Sequence, residues 1–167
     1  MQLILKLVSR AKSKKEFLIG QIAVVILGLV FMMAGASNLT AAEKTTEQLL
    51  NEAKALVKNF SVHEVKKMID GKQETVILDI RDMKGFVVEH LQGAQNMSRA
   101  VNLSPRLLEH HMRKTVPDKN ARIIVYCEFD TRAPLAVKAM NEIGYTNAVY
   151  MLGGLKAWKE TGYPLEK

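Results

Sequence analysis

The 167-residue sequence contains a single cysteine, Cys127, so no disulfide bond can form within one chain. Aromatic residues make up only 6% of the chain and do not alternate with basic ones. This argues against the base-stacking surfaces of single-strand nucleic-acid binders. Internal repeats and low-complexity tracts are also missing from the sequence. These absences point away from a disulfide scaffold, a repeat array and a nucleic-acid partner, and leave an ordinary folded domain.

The formal net charge of +7 is concentrated at the start of the chain. Residues 1–36 hold five basic side chains against one acidic side chain, which leaves a net charge of +3 for the remaining residues. That value is ordinary for a solvated domain. No cofactor or metal is expected. His110 and His111 are adjacent, so they face different directions on a helix, and no further ligand follows at helical spacing.

Residues 1–42 have the pattern of an export segment. A basic start precedes residues 17–42, which contain no charged side chain. Small residues then offer cleavage sites after Ala36 and after Ala42, as in secretory signal peptides. The same apolar stretch is long enough to remain as a membrane anchor, so both alternatives stay open. Either one is expected to place residues 43–167 outside the cytoplasm, in the periplasm or cell envelope.

After residue 42 the spacing of apolar residues alternates between helical and strand-like patterns. Residues 46–60 predict an amphipathic helix, and Ser61–Glu64 form a capping box that predicts a second helix directly after it. Further predicted strands are 75–80, 93–97, 123–126 and 148–152, and further predicted helices are 83–91, 104–114, 133–142 and 155–161. Continuously apolar strands between helices predict an α/β fold with a parallel sheet covered on both faces.

Cys127 stands at the junction between a predicted strand and a loop. Ligands of parallel sheets bind at the carboxyl ends of the strands, and Cys127 directly follows one such end. The loop Glu128-Phe129-Asp130-Thr131-Arg132 then leads to Ala133, the first residue of a predicted helix. Backbone N–H groups in front of a helix N-terminus favour anions, so we expect the loop to cradle a Cys127 thiolate. Arg132 would either add a cation there or pack away from the sulfur.

Three segments of the sequence have a distinctive spacing. They are Val76–Arg81 followed by Phe86, His90-Leu91 and Gly93-Ala94; Val125–Arg132; and Leu152–Leu155 followed by Trp158 and Gly162-Tyr163-Pro164. In this order they resemble the rhodanese domain of sulfurtransferases. The resemblance implies a three-layer α/β/α domain with a central parallel sheet over residues 60–167. Residues 43–59 would precede it as an extra amphipathic helix or linker, and residues 1–42 as a signal peptide or anchor.

The resemblance also implies a chemistry. Cys127 would be the nucleophile that takes a sulfane sulfur from a small-molecule or protein donor, becomes a persulfide and passes the sulfur to a thiol acceptor. Residues 128–133 would form the substrate-binding loop. Four residues separate Cys127 from Arg132, as in sulfur-transferring members, whereas phosphatases of this fold have a loop one residue longer. Asp79 and Arg81 would support the loop, or would form an ion pair that only fixes the end of their strand.

Glu128 and Asp130 distinguish this loop from the more basic loops common in the family. Two carboxylates beside a thiolate are expected to repel a dianion such as thiosulfate, so the sequence predicts an inefficient thiosulfate user that prefers a neutral or cationic donor or a protein partner. Two other functions remain as alternatives. One is a non-catalytic binding module in which Cys127 is incidental, and the other is a thiol redox sensor in the cell envelope.

Overall fold

The computed structural model describes residues 43–98 and 104–167. The expected export segment, residues 1–42, lies outside them. Among the described residues, no helix combines the length and the apolar character needed to cross a membrane. Lys44–Lys167 form one compact unit.

Strands and helices alternate along the described chain, as the sequence predicts. The elements are α1 (Thr46–Leu56), β1 (Asn59–Phe60), α2 (Val62–Asp70), β2 (Val76–Asp79), α3 (Met83–Val88), β3 (Ala94–Asn96), α4 (Pro105–Thr115), β4 (Ile123–Tyr126), α5 (Ala133–Glu142), β5 (Ala148–Met151) and α6 (Gly154–Glu160). The strands form one sheet in the order β1-β5-β4-β2-β3, and every pairing is parallel. This confirms the predicted α/β class with a central parallel sheet flanked by helices.

The side chains of β4 alternate between two hydrophobic cores, one on each face of the sheet. Ile123 and Val125 belong to a core that includes residues of α4 and α5. Ile124 and Tyr126 belong to a second core with residues of α2 and α6, where Trp158 is 1% exposed. All four residues of β4 are buried, which explains why this strand is a continuous apolar run.

The helix predicted over residues 46–60 is wrong at its C-terminal end. Helix α1 ends at Leu56, and the backbone of Val57 is already extended, with φ −114° and ψ 152°. The next residues form β1, in which Asn59 pairs with Tyr150 of β5 and Phe60 pairs with Met151. The helical spacing of apolar residues continues past Leu56, but main-chain pairing with β5 overrides this local preference. Strand β5 lies about ninety residues later in the sequence.

Helix α1 packs against α5 and is part of the compact unit. It begins with a capping box in which Thr45 and Gln48 satisfy each other's backbone N–H groups. Ala53 is fully buried and Val57 is 8% exposed. The contact brings α1 close to the segment that enters α5, which is the Cys127 loop.

The predicted capping box of α2 is confirmed. The Ser61 hydroxyl accepts a hydrogen bond from the Glu64 backbone, and the Glu64 carboxylate accepts one from the Ser61 backbone. The Ser61 hydroxyl also donates a hydrogen bond to this carboxylate, and that bond and the one from the Ser61 backbone lower the pKa of Glu64. A local signal of this kind is reliable because both partners lie within one turn.

Candidate active site

Cys127 is the first residue after β4, at the carboxyl edge of the sheet. It continues the alternation of Ile123 and Val125 and therefore faces the core beneath α5. Its sulfur is a free thiol, and the residue has no exposed surface. The strand thus delivers the thiol to the edge where ligands of parallel sheets bind, while keeping it out of bulk water.

The loop after Cys127 presents backbone donors. Within the described part of the chain, the N–H groups of residues 128–132 donate no hydrogen bond to any acceptor. Helix α5 follows at once, with Arg132 as its N-cap residue and no side chain capping its first turn. Unpaired N–H groups and the positive end of a helix dipole favour a negative charge at this point. The arrangement can stabilise a thiolate, or an anionic sulfur attached to it.

The end of β2 carries a buried ion pair. Arg81 donates hydrogen bonds from Nε and Nη2 to the Asp79 carboxylate at 2.8–3.2 Å, and Asp79 also accepts one from the Arg81 backbone at 2.8 Å. Asp79 is fully buried and Arg81 is 5% exposed. Burial alone would lower the pKa of Arg81, but the hydrogen bonds and negative charge of Asp79 raise it above its ordinary value. Arg81 is therefore a permanent cation at this edge.

Arg81 also reaches the Cys127 loop. Its Nη1 donates to Oε2 of Glu128 at 3.3 Å, and its Nη2 donates to the backbone carbonyl of Glu89. The guanidinium carbon lies 5.9 Å from the centre of the Tyr126 ring. The two roles that the sequence left open for Asp79 and Arg81 are thus combined, because one guanidinium fixes the end of β2 and holds the first loop carboxylate.

Asp130 is the second carboxylate of the loop, and it too has a cationic partner. Its Oδ2 lies 3.1 Å from Nζ of Lys54 on α1, and the residue is 7% exposed. Sequence reasoning missed Lys54, since 76 residues separate the two partners and nothing local marks the lysine. The repulsion expected from Glu128 and Asp130 is therefore reduced, since each carboxylate is held by a cation.

The remaining residues of the loop differ in exposure. Phe129 is 62% exposed. Thr131 and Arg132 are also exposed, whereas Ala133 is fully buried at the start of α5. Arg132 therefore faces solvent rather than the buried thiol. In the described ranges 43–98 and 104–167, no group of three or more histidine, cysteine or acidic side chains is arranged to hold a metal ion.

Gly154 lets the N-terminus of α6 approach the loop closely. The backbone N–H of Leu155 donates to the carbonyl of Cys127 at 2.8 Å, and that of Lys156 donates to the carbonyl of Glu128 at 3.1 Å. A Cβ atom on Gly154 would lie 2.5 Å from the first carbonyl oxygen and 2.7 Å from the second. The residue also has a φ of +64°, which glycine adopts without strain. The double glycine of the sequence thus orients the two carbonyls that begin the loop.

Replacing Gly154 by alanine tests this close approach. Gly154→Ala is expected to lower the free energy of unfolding by about 2–4 kcal/mol, from left-handed backbone strain and overpacking together. Gly162→Ala is the matched control, because Gly162 has a φ of +72° but no atom within 4 Å of its would-be Cβ. It should lose only about 1–2 kcal/mol from the backbone strain. Urea denaturation of both variants measures the difference, and equal losses would contradict the contact.

Comparison with known proteins agrees with this geometry. The sequence model of the rhodanese-like domain matches residues 61–161. Thiosulfate sulfurtransferase PspE of Escherichia coli is 33% identical over 79 residues, which cover 47% of this chain and 69% of that protein. A probable adenylyltransferase/sulfurtransferase, MoeZ of Mycobacterium tuberculosis, is 27% identical over 101 residues, which cover 60% of this chain. The match spans only 24% of the length of MoeZ.

A solved structure resembles the fold as well. The rhodanese-like domain of the Alr3790 protein from Anabaena sp. superposes with a TM-score of 0.55 and is 28% identical in sequence, covering 65% of this chain and 77% of that one. The family match extends over more than half of the chain and includes the Cys127 loop, Asp79, Arg81 and the double glycine. The two relatives described above are both named as sulfurtransferases. This chain therefore belongs to the rhodanese-like domain family.

Proposed function

We propose that this chain is a sulfurtransferase that carries a sulfane sulfur on Cys127. The observation that carries the proposal is the position of the thiol, between the end of β4 and a loop whose N–H groups are free to bind an anion. Membership of the rhodanese-like family and the sulfurtransferase names of its relatives support it. The proposed activity needs no cofactor.

The proposed reaction has two steps. The Cys127 thiolate attacks the outer sulfur of a donor, so that a new S–S bond forms and the donor's own bond to that sulfur breaks. The bonding electron pair departs with the donor. A thiol acceptor, as thiolate, then attacks the outer sulfur of the persulfide, and the Cys127 thiolate is released. The loop N–H groups would stabilise the negative charge on sulfur throughout, without moving a proton.

The charges around the loop affect which class of sulfur donor the site accepts. Among the buried and half-buried groups there, three carboxylates (Asp79, Glu128 and Asp130) face two cations (Arg81 and Lys54). A site without net positive charge offers a dianion no net attraction. We therefore infer that thiosulfate is an inefficient donor, and that a neutral or cationic small molecule or a protein persulfide serves better.

We also propose that residues 43–167 act outside the cytoplasm, in the periplasm or cell envelope. The apolar, uncharged residues 17–42 behind a basic start support export, whether the segment is cleaved or stays as a membrane anchor. Donor and acceptor would then meet the domain in that compartment, and the membrane would be a partner only if the segment is retained.

A partner-binding module without catalysis is the second candidate. The burial of Cys127 and the 62% exposure of Phe129 in the same loop favour it. In such a module the loop would present an aromatic contact and the thiol would only fill space.

Mass spectrometry of the intact protein separates these two functions. Incubation with a sulfane donor, either a polysulfide or a low-molecular-weight persulfide, should add the mass of one sulfur atom. The added mass should disappear with a thiol acceptor and should never form on Cys127→Ser, which keeps a residue of similar size. If several donors of different charge leave the wild-type mass unchanged, the binding module is the better assignment.

Thiosulfate use should respond to the charge of Glu128. Glu128→Gln removes one negative charge beside Arg81 and should lower KM for thiosulfate about five-fold, the factor that ~1 kcal/mol of attraction provides. The effect should weaken at high salt. Glu142→Gln at the opposite end of α5 changes the overall charge equally and serves as the control. Equal KM values for the two variants would argue against local electrostatic selection.

Export can be tested with a reporter that folds only outside the cytoplasm. Alkaline phosphatase fused after Lys167 should be active in a bacterial host, and removal of residues 1–42 should abolish its activity. An inactive full-length fusion that accumulates in the cytoplasm would overturn the proposed location. The mass of the recovered protein would tell cleavage after Ala36 or Ala42 from a retained anchor.

A further inference from the structure

Helix α1 lies outside the segment that matches the family, yet it contacts the candidate active site. The match begins at residue 61, whereas α1 covers Thr46–Leu56. Ala53 and Val57 bury their side chains, and the helix packs against α5. Lys54 follows Ala53 directly, so the burial of Ala53 positions the lysine next to the loop that enters α5.

Asp130 depends on that lysine. The residue is 7% exposed, and its Oδ2 pairs with Lys54 at 3.1 Å. Its other oxygen, Oδ1, is buried and accepts no hydrogen bond from the described residues. Among the described residues, Lys54 is the cation that lies within 4 Å of this carboxylate. A buried carboxylate with a single partner is strongly destabilised when that partner is lost.

Asp130 also has an uncommon backbone conformation. Its φ is +64°, in the left-handed region that aspartate and asparagine tolerate better than most residues. Such a conformation persists where the surroundings hold the residue in place. The ion pair between the buried carboxylate and Lys54 stabilises this conformation of Asp130. The conformation of Asp130 then orients the N–H groups on either side of it.

The surroundings of the pair offer little alternative stabilisation. Tyr150 of β5 is 2% exposed, and its hydroxyl accepts a hydrogen bond from Nδ2 of Asn59 at 3.4 Å. Burial raises the pKa of Tyr150, and the negative charge of Asp130 raises it further. Tyr150 therefore stays neutral beside the carboxylate, and in the described structure its hydroxyl donates no hydrogen bond to Asp130.

We propose that Lys54 is a positioning residue for the Cys127 loop and that helix α1 is an integral part of the active domain. This inference rests on the proposed function, because it concerns the same loop. Lys54 acts through Asp130: it keeps the carboxylate buried, and the buried carboxylate holds the turn that orients the loop N–H groups.

The role predicts a non-additive pattern among variants. Lys54→Met removes the cation that pairs with the buried Asp130 carboxylate. The carboxylate should then move into water, which displaces the loop. Asp130→Asn removes the buried charge, keeps a residue that tolerates a positive φ, and leaves Lys54 free to turn into solvent. The double variant has no buried charge to satisfy. It should therefore resemble Asp130→Asn rather than the more damaged Lys54→Met.

The experiment measures two rates on the purified full chain at a temperature where circular dichroism shows every variant folded. The first is transfer of sulfur from a persulfide donor to a thiol. The second is alkylation of Cys127 by iodoacetamide at high pH, where the rate no longer depends on pH. Because Cys127 has no exposed surface, displacement of the adjoining loop should make it more accessible.

Lys54→Met should lower the sulfur-transfer rate about ten-fold and raise the alkylation rate at least five-fold, as expected when a buried charge loses its partner. Lys54→Arg keeps the cation and should stay within about three-fold of wild type. Asp130→Asn and the double variant lose the ion pair but bury no unpaired charge, so both rates should lie between those of Lys54→Arg and Lys54→Met. Lys44→Met is the matched control, since Lys44 pairs with Glu52 on the exposed side of the same segment. It should leave both rates unchanged.

Two results would overturn the positioning role. One is Lys54→Met with both rates equal to those of Lys44→Met. The other is a double variant whose losses are the product of the two single losses, which would mean that the residues act independently. If the wild type transfers no sulfur, the proposed function fails, but the alkylation rates still decide whether Lys54 positions the loop.

Discussion

The buried pair of Asp79 and Arg81 is the interaction on which the site geometry depends. One guanidinium is shared between the end of β2, the carbonyl of Glu89 and the carboxylate of Glu128 in the Cys127 loop. Buried charges are stable only when they are paired and hydrogen-bonded, so the pair is found where several acceptors converge. Because β2 and β4 are neighbouring parallel strands, with Asp79 opposite Tyr126, this convergence falls directly beside Cys127.

The Cys127 loop is held from three directions. Arg81 contacts its first residue from the end of β2, Lys54 contacts Asp130 from α1, and the N-terminus of α6 donates to the carbonyls of Cys127 and Glu128. Each contact uses a carboxylate or a carbonyl of the loop. The loop N–H groups are left without acceptors in the described structure, which suits a site for an anionic sulfur.

The charges of the loop illustrate why local sequence is a poor guide to electrostatics. Glu128 and Asp130 stand two residues apart and look like an unbalanced acidic pair. Their cations come from positions 47 and 76 residues away, so no window of sequence contains both partners. The end of α1 has a similar explanation, because β1 forms only where β5 provides main-chain partners. Coulomb energies and strand pairing both depend on distance in space rather than along the chain.

Residues close together in the sequence determined much of this protein's fold. The apolar run of β4, the Ser61–Glu64 capping box and the strand-to-helix position of Cys127 specified a parallel α/β domain and the place of its candidate site, since each depends on residues within a few positions. Tertiary structure alone decided that α1 packs onto the domain that holds the candidate site, that Gly154 must lack a side chain, and that both loop carboxylates are paired. These features arise from contacts between distant segments, and only packing of the whole chain brings those segments together.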